Sequence, residues 1–351
     1  MELWTLGVGL PGMAARHAAR AEQAGWDGFA VVDSQNLSGD VYVALALAAQ
    51  VTTTLRLAPG VTNPYTRDAA VTACAIATVQ AESGGRAVLG IGRGDSSLAH
   101  LGLAPAPVEV FERYLARVQG YLRGDELPFE VSADVAPVGS LGLADAPTTS
   151  RLAWLNPAIP KVPVAAAATG PRVIAAAARH ADRITFAVGA GTERLAWAIE
   201  TARSARAAEG LPVDTLSLGA YVNVVVHPDR DVAFGLASGG LASFARFSVM
   251  HGTATGPVSD EQRDVLRRVH EAYDMTRHTR AGTPQAGELT ADFAADFAVL
   301  GPADQCLPRL RALAALGLDH LMVIGPSAGA DRNEAAAAVA RFEAEVLPGL
   351  R

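Results

Sequence analysis

Two acidic side chains, Asp33 and Asp95, stand where apolar runs give way to polar, glycine-rich turns. A carboxylate there can take or return a proton beside a bound ligand. Asp33 opens Asp33-Ser34-Gln35-Asn36, and Asp95 lies in Gly92-Arg93-Gly94-Asp95-Ser96. A solvated turn has the same composition, and for Asp95 a turn bond to Arg93 is an equal reading. Three further apolar runs end in Gly60-Val61-Thr62-Asn63-Pro64, in Thr169-Gly170-Pro171 and in Gly189-Ala190-Gly191-Thr192. Glycines at such ends remove side chains, so that a flat ring or a phosphate can approach the backbone. The last two segments each open a helical stretch, where free N–H groups and a partial positive charge suit an anion. Ordinary capping uses the same residues, but two such starts on neighbouring strands favour a shared phosphate.

Other chemistries find little support. His227, His251, His270 and His278 show no paired spacing, so surface or packing roles are expected of them. Cys74 and Cys306 lie far apart with no Cys, His or acidic neighbour at ligand spacing, which argues against a disulfide framework and against a metal site. Lys161 is the only lysine and falls before an apolar run, the wrong end of a strand for Schiff-base work. No Gly-x-Ser-x-Gly pattern is present, and hydrolysis by a serine nucleophile drops out. A net charge of −7 with scattered arginines leaves no basic face for nucleic acid. Met1 to Pro11 lacks the features of a signal peptide, and no apolar run approaches the roughly 20 residues a membrane span needs. A cytoplasmic protein with a small-molecule substrate and no membrane partner is expected.

The elements that must position these residues alternate along the whole chain. Candidate strands are Leu3 to Val8, Gly28 to Asp33, Leu55 to Val61, Ala87 to Ile91, Val164 to Ala167, Arg183 to Ala187, Leu216 to Val226 and His320 to Ile324, with helical stretches between them. Eight βα units predict an α/β fold, a closed (β/α)8 TIM barrel, with catalytic groups at the C-terminal strand ends. Half the residues are apolar, enough for one domain over residues 1–351. Two stretches exceed what a βα unit needs. Residues 124–161, rich in Pro, Gly, Ser and Asp, read as an ordered loop or small hairpin. Residues 227–299 read as a helical insertion between strands seven and eight, a lid over the barrel mouth with hinges at Gly252, Gly256, Gly282 and Gly287. A separate small domain without contact to the site is the alternative.

At the strand ends the chain resembles the bacterial luciferase-like superfamily, in particular its branch similar to methylene-tetrahydromethanopterin reductase. The resemblance rests on Ala24-Gly25-Trp26-Asp27-Gly28 followed by Asp33-Ser34-Gln35, on Gly60-Val61-Thr62-Asn63-Pro64-Tyr65-Thr66-Arg67, and on Ser83-Gly84-Gly85-Arg86 leading into Gly90-Ile91-Gly92-Arg93-Gly94-Asp95-Ser96. Pro163-Val164 to Gly170-Pro171 and Leu316-Gly317-Leu318-Asp319-His320 extend it toward the C-terminus. It implies an oxidoreductase that transfers a hydride between the 8-hydroxy-5-deazaflavin coenzyme F-420 and a small organic substrate. FMN is the alternative cofactor, in a monooxygenase using reduced flavin and oxygen.

The resemblance also places the ring against strands two to four, near Ser34, Gly60, Val61, Thr62, Asn63, Gly92 and Gly94. Gly60-Val61 would be its backstop, often with a non-prolyl cis peptide. Asp33 and Asp95 would lie at the reactive edge, and the phosphate near Thr169, Gly170, Gly189, Ala190 and Gly191. A homodimer is the family's usual state. Departures are visible too: Gly7-Val8-Gly9-Leu10 carries no carboxylate, Asp68-Ala69 stands where relatives often show His-Pro, and Ser34-Gln35 replaces the Asp-His pair of alcohol- and sugar-phosphate-oxidising relatives. Those substrate classes lose support. A silent flavin-binding protein and a cofactor-free isomerase on the same barrel remain as other readings.

Overall fold

Apolar runs too short for helices, closed by Gly, Pro or Asp, form strands, and the alanine-rich stretches between them form helices. The structure, a computed structural model, describes residues 1–131, 134–250 and 252–351, so His251 lies outside the described residues. In chain order the first half comprises β1 (Glu2–Val8), α1 (Ala14–Ala24), β2 (Gly28–Val32), α2 (Val41–Val51), β3 (Arg56–Pro59), α3 (Ala69–Glu82), β4 (Leu89–Ile91), α4 (Ser96–Ala99) and α5 (Val108–Arg123). There follow β5 (Val164–Ala168), α6 (Pro171–His180), β6 (Arg183–Phe186), α7 (Thr192–Ala208), β7 (Ser217–Val226) and α8 (Arg230–Phe247). The chain ends with α9 (Asp260–Glu271), α10 (Pro284–Gly287), α11 (Ala291–Phe297), β8 (Val299–Gly301), α12 (Ala303–Ala314), β9 (His320–Ile324) and α13 (Arg332–Arg341).

The strands run in the order β3-β2-β1-β9-β7-β6-β5-β4, every ladder parallel. Parallel bridges from Leu57 to Ala87 and from Thr62 to Ile91 join β3 to β4 and close the ring. This is the expected eight-stranded TIM barrel, with all eight expected strands in place. One strand was not foreseen. β7 is ten residues long; Gly219 to Asn223 pair with β9, while Val224 to Val226 project beyond the ring and pair with β8.

Side chains fill the barrel rather than leave a pore. Trp4, Ala30, Ala58, Val88, Ala187, Tyr221, Met322 and Ile324 form the buried inner cluster, with Leu6, Val61, Ala167, Phe244 and Phe247 half-buried against it. Gly28 faces Trp4 in register, and a Cβ there would lie 2.1 Å from the indole. At the same end, Glu2 accepts from Trp4 Nε1 (3.0 Å) and Arg183 Nη2 (2.5 Å). His320 Nε2 lies 2.9 Å from Thr185 Oγ1, and burial pushes its pKa down to about 3. This polar plug seals the N-terminal end and leaves the C-terminal end as the open face.

An antiparallel bridge between Leu127 and Ser150 ties the stretch at 127–150. Residues 230–297 supply α8 to α11, which build a small core of their own from Leu241, Ala245, Val265, Leu266, Phe293 and Phe297. That core is continuous with the barrel, because Phe244 packs against both clusters and its ring lies 5.4 Å from that of Tyr221. Among the described residues no helix is long and apolar enough to cross a membrane.

Candidate active site

The loops after β2, β3 and β4 hold one another. Ser34 Oγ lies 3.2 Å from Ser96 Oγ, Gln35 Nε2 donates to Ser97 O (2.9 Å) and Asn36 Nδ2 donates to His100 O (2.8 Å). Buried Asn63 donates to Ser97 Oγ (3.2 Å) and accepts the N–H groups of Tyr65 and Thr66 at 3.0 and 3.1 Å. The Thr62 N–H donates to Gly90 O, and Thr62 O accepts from Gly92 N–H. The Gly60–Val61 peptide is cis. The glycines have a packing reason besides the one expected. A Cβ on Gly60 would lie 2.7 Å from Leu6, one on Gly92 3.0 Å from Val61, and one on Gly94 2.4 Å from Leu98. The barrel's own packing therefore requires small residues there, before any ligand is considered.

Asp33 is only 4% exposed and is bound by Arg67 Nη1 at 2.8 Å. The second arm of Arg67 reaches Asp40, the cap of α2, also at 2.8 Å, and the guanidinium lies over the Tyr42 ring at 4.9 Å. Burial pushes the Asp33 pKa above the ordinary carboxylate range, while Arg67 and Thr62 pull it back. The carboxylate is thus half of a fixed ion pair, and its outer face is turned to a cation.

Asp95 is paired as well, with Arg246 near the C-terminal end of α8. The pair links the β4 loop to the insertion. Arg246 Cζ lies 4.6 Å from the Tyr273 ring centre, Tyr273 Oη lies 2.6 Å from His278 Nδ1 and 2.9 Å from Ser243 Oγ. Burial holds the His278 pKa down at about 4, although Asp95 opposes the shift. Arg93 Nε donates to Ala106 O, and Asp95 reaches across to α8. Among the described residues, one oxygen of Asp95, Oδ2, is buried without a protein partner, as is Asn223 Nδ2 in β7.

The two helix starts differ. At α6, Gly170 is the cap, Pro171 follows, and the nearest atom to a Cβ on Gly170 would be Thr255 Oγ1 at 3.8 Å. That start has room for an anion. At α7 the Ala190 N–H donates to Phe297 O at 2.9 Å, and Gly189, with φ of 86°, packs under the Phe297 ring. Asp296 Oδ2 would lie 3.3 Å from a Cβ on Gly191. The insertion, with a carboxylate of its own, sits on this start.

Nothing in the local sequence assigns a role to Arg67 or Arg246. A signal for Arg246 exists: from Val232 to Val249 it is the sole charged residue in an otherwise small and apolar run. Of the insertion's histidines, His227 bonds to Asp229 O (2.9 Å) and to Glu334 (3.1 Å), a packing role as expected.

Residues 9–320 match the model of the luciferase-like monooxygenase family. A 5,10-methylenetetrahydromethanopterin reductase of Archaeoglobus fulgidus is 26% identical over 340 residues, 94% of this chain and 93% of that protein. The enzyme of the same name from Methanolobus tindarius is 37% identical over 118 residues, a match that spans 33% of this chain and 36% of that protein. The solved coenzyme F-420-dependent tetrahydromethanopterin reductase of Methanopyrus kandleri superposes with a TM-score of 0.74 at 21% identity, covering 100% of this chain and 99% of the other.

Proposed function

Because the chain belongs to the luciferase-like monooxygenase family, we propose that it is an oxidoreductase moving a hydride between the deazaflavin coenzyme F-420 and a small organic substrate. The residues at the barrel mouth fit such a group. Leu6, Val61, Ala167, Phe244 and Phe247 offer a half-buried apolar shelf for a planar ring, and among the described residues Asp95 Oδ2 and Asn223 Nδ2 are buried polar atoms with no protein partner. Buried polar atoms are ordinarily paired, so these two are read as ligand contacts. The coenzyme, when bound, supplies the hydride acceptor or donor. Ser34, Gly60, Val61, Thr62, Asn63, Gly92 and Gly94 shape its seat, and the open α6 start at Thr169 and Gly170 holds its phosphate through N–H groups. Gly189, Ala190 and Gly191, at the neighbouring α7 start, share in holding the phosphate, and Gly189 and Ala190 also seat the insertion.

The single observation that carries the catalytic assignment is the state of Asp95. Arg246 holds one oxygen and leaves Oδ2 free to take or return the proton that accompanies hydride transfer. Asp33, engaged by Arg67, holds the β2 and β3 loops in register and adds a fixed charge beside the ring. Phe244 and Phe247 keep water from the shelf. The whole chain acts as one barrel domain, in the cytoplasm, as a homodimer. Val43, Leu47 and Val51 stand exposed along α2 at four-residue spacing, next to exposed Val71 on α3, and that apolar face supports the pairing.

Equilibrium dialysis and native mass spectrometry with each cofactor test the reading. Retention of the deazaflavin coenzyme at micromolar concentration is expected. Retention of FMN alone would favour the second reading, a monooxygenase, which the description of the family model supports. Retention of neither would overturn both.

A further inference from the structure

Three stretches at the barrel mouth carry no Asp, Glu, Lys or Arg: residues 6–13 at the end of β1, 34–39 after β2 and 96–107 after β4. At the chain's overall 19% of such residues, these twenty-six positions would hold about five. The acids at their borders, Asp33, Asp40 and Asp95, are each engaged by an arginine, and Arg16 on α1 turns back to Gly12 O at 2.9 Å. Apolar side chains stand there instead. Val8, Leu10, Leu37, Leu101 and Leu103 are 44–47% exposed. Their loops are tied together: the Gly39 N–H donates to Gly9 O at 3.0 Å, and Asn36 Nδ2 donates to His100 O at 2.8 Å. The rim is also continuous with the barrel interior. Leu6 and Val8 lie two residues apart on β1, hence on one face, and pair in register with Ala30 and Val32 on β2. Leu6 and Ala30 belong to the inner cluster, so Val8 carries that apolar face out to the mouth. Charge stands on the far side of the ring. β5 and β6 lie opposite β1 and β2 in the strand order, and the helices that follow them open with Arg172 and with Glu193 and Arg194.

We propose that this rim seats the body of the substrate, and that the substrate is an uncharged, mainly apolar molecule of alkyl or aryl character. The inference rests on the proposed function, which puts the coenzyme's ring on the Leu6 and Val61 shelf and its phosphate at the α6 and α7 starts. The charged end of the coenzyme and the body of the substrate then take opposite sides of the mouth. An ionised substrate would lose water over Leu10, Leu37 and Leu101 and meet no counter-charge there, which is unfavourable. An apolar substrate gains by covering the same side chains. A connected set of exposed apolar side chains beside an apolar shelf marks a binding surface, and the missing charges select its occupant. The chain's own residues thus disfavour phosphorylated and carboxylated substrates.

Primary alkyl amides probe the rim without any reaction. Butanamide, hexanamide and octanamide are titrated calorimetrically into the whole protein, alone and with the deazaflavin coenzyme. Suberamate, an amide of the same length as octanamide that ends in a carboxylate, is the charged counterpart. Affinity is expected to rise about twofold per added methylene, since half-exposed side chains bury roughly half of what a core would. Suberamate is expected to bind about tenfold more weakly than octanamide, or worse. Leu101→Arg should reverse that order, while Leu141→Arg, at an exposed leucine of the 124–161 loop, should leave it unchanged. Thermal melts report folding, and should Leu101→Arg not fold, Leu37→Arg decides on the same terms. Equal affinity along the amide series, suberamate binding as tightly as octanamide, or an unchanged order in Leu101→Arg would each overturn the proposal. So would sedimentation in which Leu101→Arg dissociates an assembly without altering amide affinities, since the rim would then join two copies of the chain. Dialysis reads coenzyme retention separately. Retained coenzyme with no amide preference refutes this inference and leaves the proposed function standing; amide preference without retained coenzyme refutes the proposed function and leaves the rim standing.

Discussion

The pair between Asp95 and Arg246 joins the β4 loop to the insertion, and a double-mutant cycle on it measures how firmly the insertion is held. The side chains are 16% and 10% exposed, so the pair is close to the buried limit. Removing one partner of such a pair leaves an uncompensated charge and costs about 3–5 kcal/mol; the residual exposure argues for the lower end, about 3 kcal/mol for Arg246→Met. Asp95→Asn should cost less, about 2 kcal/mol, because Arg246 keeps its contact with the Tyr273 ring. The double variant leaves no stranded charge and should cost about as much as one single change, which makes the coupling about 2 kcal/mol. Unfolding entropy of about 2.1 cal/mol/K per residue over 351 residues is about 0.7 kcal/mol/K, so Arg246→Met lowers Tm by about 4 °C. Urea unfolding of the four proteins at neutral pH is the assay, run at two salt concentrations because a buried pair is little screened. Additive costs within about 0.5 kcal/mol would show that the two residues act separately, and the pair would then not hold the insertion to the β4 loop.

Three further outcomes are expected. His278 and His320 stay neutral in the fold, with pKa values near 4 and 3, whereas the unfolded chain binds protons near pH 6.5; stability therefore falls as pH drops from about 6.5 toward 4, by up to about 1.4 kcal/mol per pH unit for each histidine. Unfolding at stepped pH measures this, and His320→Gln should flatten the slope by one histidine's share; an unchanged slope would contradict it. Gly28→Ala puts a Cβ 2.1 Å from the Trp4 ring and should destabilise by about 1–3 kcal/mol, seen as a fall in Tm. Leu47→Glu places a charge on the apolar face of α2 and should shift the protein toward monomer in analytical ultracentrifugation, while a dimer of unchanged stability would move the interface elsewhere.

The barrel was legible because each of its signals is local. A run such as Val164 to Ala168, a Gly after α1 at Gly25, and an Asp cap before α2 and α3 all announce an element within a few residues. β8 escaped because three residues are too few for a period to show, and its pairing depends on β7 running past the ring. The charge partners escaped for another reason. Arg67 lies 34 residues from Asp33, and Arg246 lies 151 residues from Asp95, so only the closed barrel brings each pair together.

The glycines teach the subtler point. A glycine at a strand end is required wherever a Cβ would collide, and the sequence does not say with what. At Gly60 and Gly92 the colliding atoms belong to Leu6 and Val61, and at Gly189 to Phe297. Among Gly60, Gly92, Gly94, Gly170, Gly189 and Gly191, Gly170 alone meets nothing closer than 3.8 Å. The packing requirement and the ligand requirement therefore part company at Gly170: where the protein itself leaves the space open, a glycine's lack of a side chain is free to serve a bound group. The same reasoning separates the carboxylates, since Asp33 is turned to a cation while Asp95 keeps one buried oxygen unspent. Open space and unpaired buried atoms, rather than residue type, are what distinguish the functional member of each look-alike set.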